Sequence, residues 1–408
     1  MRILWAKANK LLPVHSGGDI RSYHLARYLA SKHDLTFLSY YDGAPDPAYE
    51  KELTDHFPGA VCVCTSKPAD GASRPWDYFR HLGNSAPYAV RRFACSEVQR
   101  TIEQWFRNDR FDVAVCDFLD AAVNFPSDLK VPSVLFQHNV ESEIWRRHAS
   151  THANPIKRLM YSVEFRKMLR YESAAVRRFT HVIAVSDHDR KLMTAWVEPS
   201  RVTVVPTGVD LQNYWPAKTS GNSLNVAFVG AMDWEPNIDA VNYFCEEIWP
   251  NVLSKVPEAR FKIIGRNPDR RVQKLASQSV EITGRVPSIL EHLHKAAVAV
   301  VPLRIGGGTR LKIYEAMAAG KAVVSTTVGA EGLQVHNGKD IILTDSPREF
   351  AAAVVSLLLN NDMRHQYETA AAELASRFDW SAIGQEFARV LGDVIAGARP
   401  STEACVAG

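Results

Sequence analysis

The chain has 408 residues, of which 46% are hydrophobic and 23% are charged, and its formal net charge is +3. This length exceeds one ordinary hydrophobic core, so we expect two domains. The composition is that of a globular protein and excludes disordered and fibrous classes. The small net charge argues against a nucleic-acid partner. The six cysteines lack zinc-site spacing, which favours a reducing compartment.

The amino terminus, Met1–Ala6, enters an apolar run directly and has no signal-peptide pattern. No apolar stretch approaches the ~20 residues that cross a bilayer. We therefore expect a cytoplasmic protein.

Short apolar runs alternate with helical patterns through the first half of the chain, which is the rhythm of βαβ units and a parallel sheet. A helix is predicted over Ser22–Lys32, between the first two strands. The predicted strands are Arg2–Ala6, Leu35–Tyr40, Val61–Cys64, Val113–Cys116, Ser133–Gln137 and His181–Val185.

The same rhythm restarts after a stretch rich in proline, glycine and polar residues. Helices are predicted at Asp239–Ile248 and, with an amphipathic pattern, at Trp380–Ile395. The second set of predicted strands is Leu224–Val229, Phe261–Ile264, Val280–Thr283, Val298–Val301, Ala322–Ser325 and Ile341–Leu343. We predict a first domain at residues 1–206, a linker at 207–222, a second domain at 223–379, and a helix with a tail at 380–408.

The predicted fold is therefore α/β, with two Rossmann-like, doubly wound parallel-sheet domains. Open sheets of this kind bind ligands at the carboxyl ends of their strands. Two such domains facing each other would place the site in a central cleft.

The most informative stretch is a glycine turn between the apolar strand and a helix. Gly306–Gly308 would let backbone N–H groups approach a ligand, and the helix that follows aims its positive end at the same point. A glycine run alone would be a flexible loop, but a strand, a glycine turn and basic residues together predict a phosphate site. The predicted donor-binding residues here are Arg304, Gly307, Gly308, Thr309, Arg310 and Lys312.

Neither standard nucleotide fingerprint occurs. The pattern GxxxxGK[ST] is absent, and no GxGxxG follows the first strand of either predicted sheet. Kinase and dehydrogenase functions are therefore disfavoured.

Several short motifs occur in a specific order along nearly the whole chain: Ser16–Asp19 as a turn, Gln137–Glu141, Ala184–Ser186, Val205–Asp210, Phe228–Gly230, Thr283–Pro287 and Glu315–Gly320. Through them the sequence resembles the retaining glycosyltransferases of family 4 (group 1), which have the GT-B fold. The resemblance implies metal-independent transfer of a sugar from a nucleotide-diphosphate donor, bound by the second domain, to an acceptor it does not identify. It implies no cofactor.

The resemblance also implies roles for single residues. Glu315 would hold the ribose hydroxyls, with a solvated helix acid as the alternative. His138, at a strand end, would lie beside the transferred sugar, with a packed histidine as the alternative. The remaining donor-side residues are Gly17 and Gly18 under the phosphates, or in an ordinary tight turn, Gly230 after the first strand of the second domain, and Arg285 and Val286 at the base.

Two departures from the family pattern concern the phosphates. Many relatives carry an arginine and a lysine after the first strand of the second domain, whereas this chain reads Gly230–Asn237 without either. Relatives also have a second glutamate where this chain has Gly307. We expect Arg304, Arg310 and Lys312 to replace the missing clamp.

Three other functions stay open. A nucleotide-sugar 2-epimerase or a sugar phosphorylase would share the architecture. A non-catalytic nucleotide-sugar-binding partner subunit would fit the missing clamp and glutamate.

The triplet Asp187-His-Asp189 imitates the DxD metal motif of another glycosyltransferase fold. Ser186 followed by Asp189, just before a helical pattern at Arg190–Trp196, is instead typical of a helix N-cap with an acid in the first turn. We therefore predict a cap and no metal site.

The segment Pro155–Arg178 has the pattern of a basic amphipathic helix. A solvated helix face is the commoner structure for such a pattern. The alternative is peripheral contact with anionic lipid at the inner face of a membrane.

Overall fold

The computed structural model describes residues 1–14, 16–65, 86–151, 154–216, 223–305 and 310–398. The chain forms two compact units, one made of Met1–Pro206 with the chain from Ile383 onward, and the other of Thr207–Ala382. Each unit is built on its own parallel sheet with helices, which confirms the predicted α/β class.

The sheet of the first unit is parallel throughout and has the order β3-β2-β1-β4-β5-β6-β7. The six predicted strands are confirmed, and a short seventh strand extends the sheet. Most of their side chains are buried, as expected where helices cover both faces of a sheet. The strands are β1 (Arg2–Ala8), β2 (Asp34–Tyr41), β3 (Val61–Cys64), β4 (Val113–Asp117), β5 (Ser133–Phe136), β6 (His181–Ala184) and β7 (Val202–Val204).

The first helix begins at Gly17, earlier than predicted, because Ser16 caps it by accepting the N–H of Asp19 at 3.1 Å. The prediction of a turn at Ser16–Asp19 was therefore wrong. Among the residues of this unit that the structure describes, the α-helices are Gly17–Ala30, Pro47–His56, Tyr88–Arg91, Ser96–Arg107, Glu141–Thr151, Pro155–Arg178 and Asp187–Met193, and the 3₁₀ turns are Leu119–Asn124 and Pro199–Arg201.

The sheet of the second unit is also parallel, with the order β10-β9-β8-β11-β12-β13. All six predicted strands are confirmed. They are β8 (Asn225–Val229), β9 (Arg260–Ile264), β10 (Val280–Gly284), β11 (Val298–Val301), β12 (Ala322–Ser325) and β13 (Ile342–Leu343).

The helix predicted at Asp239–Ile248 begins earlier, at Glu235, where Pro236 occupies the first turn and fixes a helical φ. It continues as a π-helical turn, Phe244–Ile248. The α-helices of this unit are Glu235–Tyr243, Trp249–Leu253, Arg270–Gln273, Ile289–Lys295, Leu311–Ala318, Pro347–Leu359 and Asn361–Ser376.

The last helix, Trp380–Ala398, extends the predicted one and returns to the first unit. Phe387 packs against Trp5 and Phe136, with ring centres 5.6 and 5.1 Å apart. A Cβ at Gly384 would lie 2.3 Å from the ring of Tyr28, so this close packing requires glycine. None of the helices in the described ranges is long and apolar enough to cross a membrane.

Candidate active site

Each sheet reverses its strand order at one point, between β1 and β4 in the first unit and between β8 and β11 in the second. Open α/β sheets bind ligands at the carboxyl ends of the strands beside such a reversal. Polar side chains gather there in both units. We call them the His138 cluster and the Lys312 cluster, after the residue at the centre of each.

The His138 cluster begins with Asp117, the last residue of β4, and His138, two residues after β5. Nε2 of His138 lies 2.7 Å from Oδ1 of Asp117, and Nδ1 lies 2.7 Å from Nη1 of Arg21. The indole N–H of Trp5 donates to the other oxygen of Asp117 at 3.0 Å. His138 is 2% exposed, and Asp117 and Trp5 are fully buried.

Aromatic packing fixes the imidazole of His138. The ring of Phe118 stacks on it with centres 3.6 Å apart and planes 7° apart, and Lys7 Nζ lies 4.3 Å from the centre of the Phe118 ring. A Cβ at Gly18 would lie 2.4 Å from the same ring, so the helix approaches Phe118 this closely only with glycine. Burial is the main cause that lowers the pKa of His138 to about 4, so the imidazole is neutral near pH 7.

The Lys312 cluster joins a helix residue to the end of β8. Nζ of Lys312 donates to Oδ1 of Asn237 at 2.7 Å and lies 4.3 Å from the centre of the Phe228 ring. Asn237 is 2% exposed, and its amide donates to the carbonyl of Ala231 at 2.9 Å. A Cβ at Gly230 would lie 2.8 Å from Lys312 Nζ and 2.6 Å from the Asn237 amide nitrogen. Glycine at 230 therefore makes room for the lysine.

Lys312 and Glu315 occupy adjacent positions on one turn of helix Leu311–Ala318. Burial, with a smaller effect of Arg310, lowers the pKa of Lys312 to about 7. Burial also raises the pKa of Glu315 to about 7, although Lys312 and a hydrogen bond with Tyr214 oppose this shift. Both residues keep partial contact with solvent, but the protein atoms around their charged groups replace most of the water. Such perturbed groups concentrate at functional sites.

The structure thus brings together four of the predicted donor-side residues: Gly230, Arg310, Lys312 and Glu315. Arg310 is 4% exposed and stands at the N-cap position of the helix. Arg304 is instead turned to Asp239, with Nε and Oδ2 3.0 Å apart, and its guanidinium lies 4.5 Å from the centre of the Tyr243 ring. The charge of Arg304 is therefore already compensated.

The other predicted residues lie elsewhere. Arg285 and Val286 follow β10, the edge strand of the second sheet, and Arg285 is exposed. Gly17 opens the first helix of the first unit. Gly307, Gly308 and Thr309 lie outside the described residues.

The Asp187-His-Asp189 triplet is the first turn of helix Asp187–Met193. The hydroxyl of Ser186 accepts the N–H of Asp189 at 3.1 Å and donates to its carboxylate at 2.6 Å. The predicted N-cap is confirmed, although the helix begins before Arg190.

Sequence reasoning missed several residues of these clusters, among them Asp117, Tyr214 and Asn237. Asp117 carried a usable signal, because an acid directly after a buried strand points to the edge where ligands bind. Asn237 carried a weaker one, as a polar residue between apolar neighbours at a helix start. Tyr214 lies in the predicted linker, where no local pattern singles it out.

Known protein families match most of both units. Residues 15–213 match the family described as Glycosyltransferase Family 4, and residues 223–360 match Glycosyl transferases group 1. A phosphatidyl-myo-inositol mannosyltransferase of Mycolicibacterium smegmatis is 26% identical over 254 residues, which are 59% of this chain and 64% of that protein. The match thus spans just under two thirds of that relative.

Solved structures share the fold at low identity. The sucrose-phosphate synthase of Thermosynechococcus elongatus has a TM-score of 0.70 at 16% identity, over 98% of this chain and 100% of that one. The HepE protein of Anabaena, solved with UDP, has a TM-score of 0.67 at 15% identity, over 96% and 100%. Together, the family matches over both units and the shared GT-B fold show that the chain belongs to the family 4 glycosyltransferases (glycosyl transferases group 1).

Proposed function

We propose that the protein transfers a sugar, with retention of configuration, from a nucleoside-diphosphate sugar to a hydroxyl of an acceptor. The observation that carries this proposal is the position of Lys312 and Glu315 on one helical turn beside the reversal point of the second sheet, with Nζ of Lys312 next to Gly230 and Asn237. Burial displaces the pKa values of both groups toward 7. A diphosphate would compensate the cation, and a ribose diol would donate to the carboxylate. The family membership supports the same chemistry.

Lys312 would supply the phosphate-binding cation that is missing from the sequence after Gly230. Its Nζ stands beside the backbone of Gly230, at the end of β8 where relatives place their clamp, although the lysine comes from a helix 82 positions later. Arg310 adds a second cation, and the N-terminal end of helix Leu311–Ala318 adds its partial positive charge. These groups would stabilise the leaving diphosphate. His138, whose two ring nitrogens already have partners, would act beside the sugar through Arg21.

A nucleotide panel tests this proposal. Uridine, UMP, UDP, UDP-glucose and the corresponding guanosine compounds would be compared by thermal shift, because a ligand that binds only the folded state raises its melting temperature. We expect diphosphates and their sugars to shift the melting temperature and nucleosides to shift it little. Equal shifts for nucleoside and diphosphate would contradict the proposed phosphate site.

Incubation with the donor alone then separates the open alternatives. A transferase releases nucleoside diphosphate slowly and releases it faster with an acceptor. A 2-epimerase converts the donor without an acceptor, and a phosphorylase needs inorganic phosphate. Binding without any turnover over a broad acceptor panel would favour the non-catalytic subunit. The name of the M. smegmatis relative makes mannose and a polyol lipid the first sugar and acceptor to test.

We also propose that transfer needs no divalent metal, since Arg310, Lys312 and the helix end provide the positive charge that a metal would otherwise supply. Activity measured after chelation with EDTA should equal that of the untreated protein. Loss of activity that magnesium or manganese restores would contradict this.

A membrane surface is proposed as a further partner, because of the first two turns of helix Pro155–Arg178. Ile156 and Leu159 are 71% and 67% exposed, and the basic residues Lys157 and Arg158 lie between them. Exposed apolar side chains next to cations suit an anionic lipid surface. A polyol lipid acceptor would be reached from such a surface.

Vesicle sedimentation tests the membrane contact. The protein should bind vesicles containing phosphatidylglycerol and bind pure phosphatidylcholine weakly, and a variant with Ile156→Ser and Leu159→Ser should lose most of this binding. Leu359→Ser is the matched control, since Leu359 is 63% exposed on another helix. Equal binding by the double variant and the control would contradict the proposed contact.

A further inference from the structure

The hydrogen bonds of His138 have a fixed direction. A guanidinium only donates, so Nδ1 of His138 must accept from Arg21 across their 2.7 Å contact. Nε2 therefore carries the proton of the neutral ring and donates it to Oδ1 of Asp117 at 2.7 Å. The two partners together select one tautomer.

The carboxylate of Asp117 accepts from two ring N–H groups at once, and the hydroxyl of Ser22 hydrogen-bonds to it as well. One oxygen accepts from His138, and the other accepts from the indole N–H of Trp5 at 3.0 Å. Because a carboxylate only accepts, both contacts are satisfied. An amide at position 117 has one oxygen and one NH₂ group. Its oxygen could accept from only one of these two N–H groups, and its NH₂ group, itself a donor, would face the other.

We propose that Asp117 is a positioning residue: its carboxylate holds His138 as the Nε2–H tautomer and so directs Nδ1 at Arg21, in the first turns of helix Gly17–Ala30. This inference rests on the proposed function only in its link to turnover. In this arrangement Nδ1 of His138 accepts a hydrogen bond from the guanidinium of Arg21 and so orients that cation. It does not deliver a proton.

The surroundings keep the ring in this orientation. Phe118 covers one face with nearly parallel planes, and Phe136 lies 4.2 Å away, centre to centre, at an inclined angle. The pKa of His138, lowered to about 4 mainly by burial, keeps the ring neutral from pH 5.5 to 8. The tautomer is therefore a property of the folded chain that can be measured without any substrate.

Nitrogen-15 NMR of the histidine rings in the full chain, with His138→Ala to assign the signal, provides the first test. The parent should show the Nε2–H tautomer for His138, unchanged between pH 5.5 and 8. In Asp117→Asn the His138 and Trp5 donors compete for one oxygen. Where the amide NH₂ group faces His138, the ring must give up either its Nε2 proton or its contact with Arg21, so the pure Nε2–H signal should be lost. Trp5→Phe is the matched control, because it removes the competing donor and leaves Asp117 on His138.

The double variant with Trp5→Phe and Asp117→Asn is the decisive case. Without the indole donor, the single oxygen of the introduced amide can turn to His138. The Ser22 hydroxyl does not prevent this, because a hydroxyl can also accept from the amide NH₂ group, so the Nε2–H signal should return. Turnover provides the second test. It is measured as release of nucleoside diphosphate from UDP-glucose, or from the UDP- or GDP-sugar that the panel selects. The rate should fall roughly 10- to 100-fold in Asp117→Asn, which is the range seen when a metal-bound histidine loses the partner that orients it. It should recover in the double variant to within about threefold of Trp5→Phe, with donor affinity unchanged throughout.

Three results would overturn the inference: an unchanged Nε2–H signal in Asp117→Asn, no return of the signal in the double variant, or equal turnover in Asp117→Asn and parent while His138→Ala loses turnover. If Asp117→Asn does not fold, a folded double variant with the Nε2–H signal supports the inference, and one without it overturns the inference. If the signal follows the prediction while His138→Ala keeps full turnover, the positioning by Asp117 stands and the proposed role of His138 in transfer fails.

Discussion

The His138 cluster and the Lys312 cluster occupy equivalent edges of two similar sheets, but they differ in how their charges are compensated. In the first, both ring nitrogens of His138 and both oxygens of Asp117 have partners, and aromatic rings enclose them. In the second, the pKa values of Lys312 and Glu315 are both about 7, so burial outweighs the partners that these groups have. The first cluster is complete without a ligand. The second has charges that a ligand would compensate.

Because of this difference, we expect substitutions in the His138 cluster to affect mainly the stability of the fold and substitutions in the Lys312 cluster to affect mainly ligand binding. Removing a side chain from a completed buried network leaves its partners desolvated and without their hydrogen bonds, which destabilises the fold. Removing an undercompensated charge relieves a cost and affects mainly the ligand. Variants of the two clusters should show this contrast.

The largest effect is expected for His138→Ala. It would leave buried Asp117 and Arg21 without the imidazole between them, and breaking a buried charged network costs about 3 kcal/mol or more. Urea unfolding should show this loss. His365→Ala is the control, because the side chain of His365 is 80% exposed. A loss below ~1 kcal/mol would mean that the cluster is not the completed network described above.

Glu315→Gln should have the next largest effect, on the donor. An amide that replaces the carboxylate loses charged hydrogen bonds to the ribose diol, worth ~1.5–3 kcal/mol. Calorimetry should show UDP and uridine weakened together, since both carry the ribose. Glu291→Gln, at an exposed position on another helix, is the control. Unchanged donor affinity in Glu315→Gln would exclude Glu315 from the ribose site.

A smaller effect concerns the pH dependence of stability. The pKa of Glu315 is about 7 in the folded chain, whereas its ordinary value, which applies to the unfolded chain, is 4.5. Between pH 4.5 and 7 the folded chain therefore holds more protons than the unfolded chain. Stability from this group is therefore present below pH 4.5 and is lost as the pH rises through 7. Relative to Glu315→Gln, the parent should lose ~1–2 kcal/mol of unfolding free energy between about pH 5 and 7. Parallel stability curves for the two proteins would contradict the displaced pKa.

The strands of both sheets were predictable because buried parallel strands are continuous apolar runs. Their ends were predicted to within two residues. The start of the first helix was not predicted. Ser16 and Asp19 have the same spacing as the capping pair Ser186 and Asp189, but the two glycines between them favoured the interpretation as a turn. The π-helical turn at Phe244–Ile248 likewise has no pattern of its own in the sequence.

The candidate site was predictable where its residues lie within one motif, as Lys312 and Glu315 do. It was not predictable where a residue's partner lies far away in the sequence. Asn237 accepts a hydrogen bond from Lys312, which lies 75 positions later in the sequence, and Asp239 accepts one from Arg304, 65 positions later. A local pattern shows that Arg304 is a cation near a glycine turn, but it does not show that a carboxylate on another helix already binds it.

The central claim is that the Lys312 cluster binds a nucleoside diphosphate through its phosphates. Titration calorimetry of UDP and uridine into the parent and Lys312→Met, at matched salt, tests it most directly, with exposed Lys274→Met as the control. The account predicts that Lys312→Met weakens UDP binding by ~1.5–3 kcal/mol, the range for charge-assisted hydrogen bonds, and leaves uridine binding unchanged. If Lys312→Met binds UDP as tightly as the parent and Lys274→Met do, the phosphates are held elsewhere and the claim is wrong.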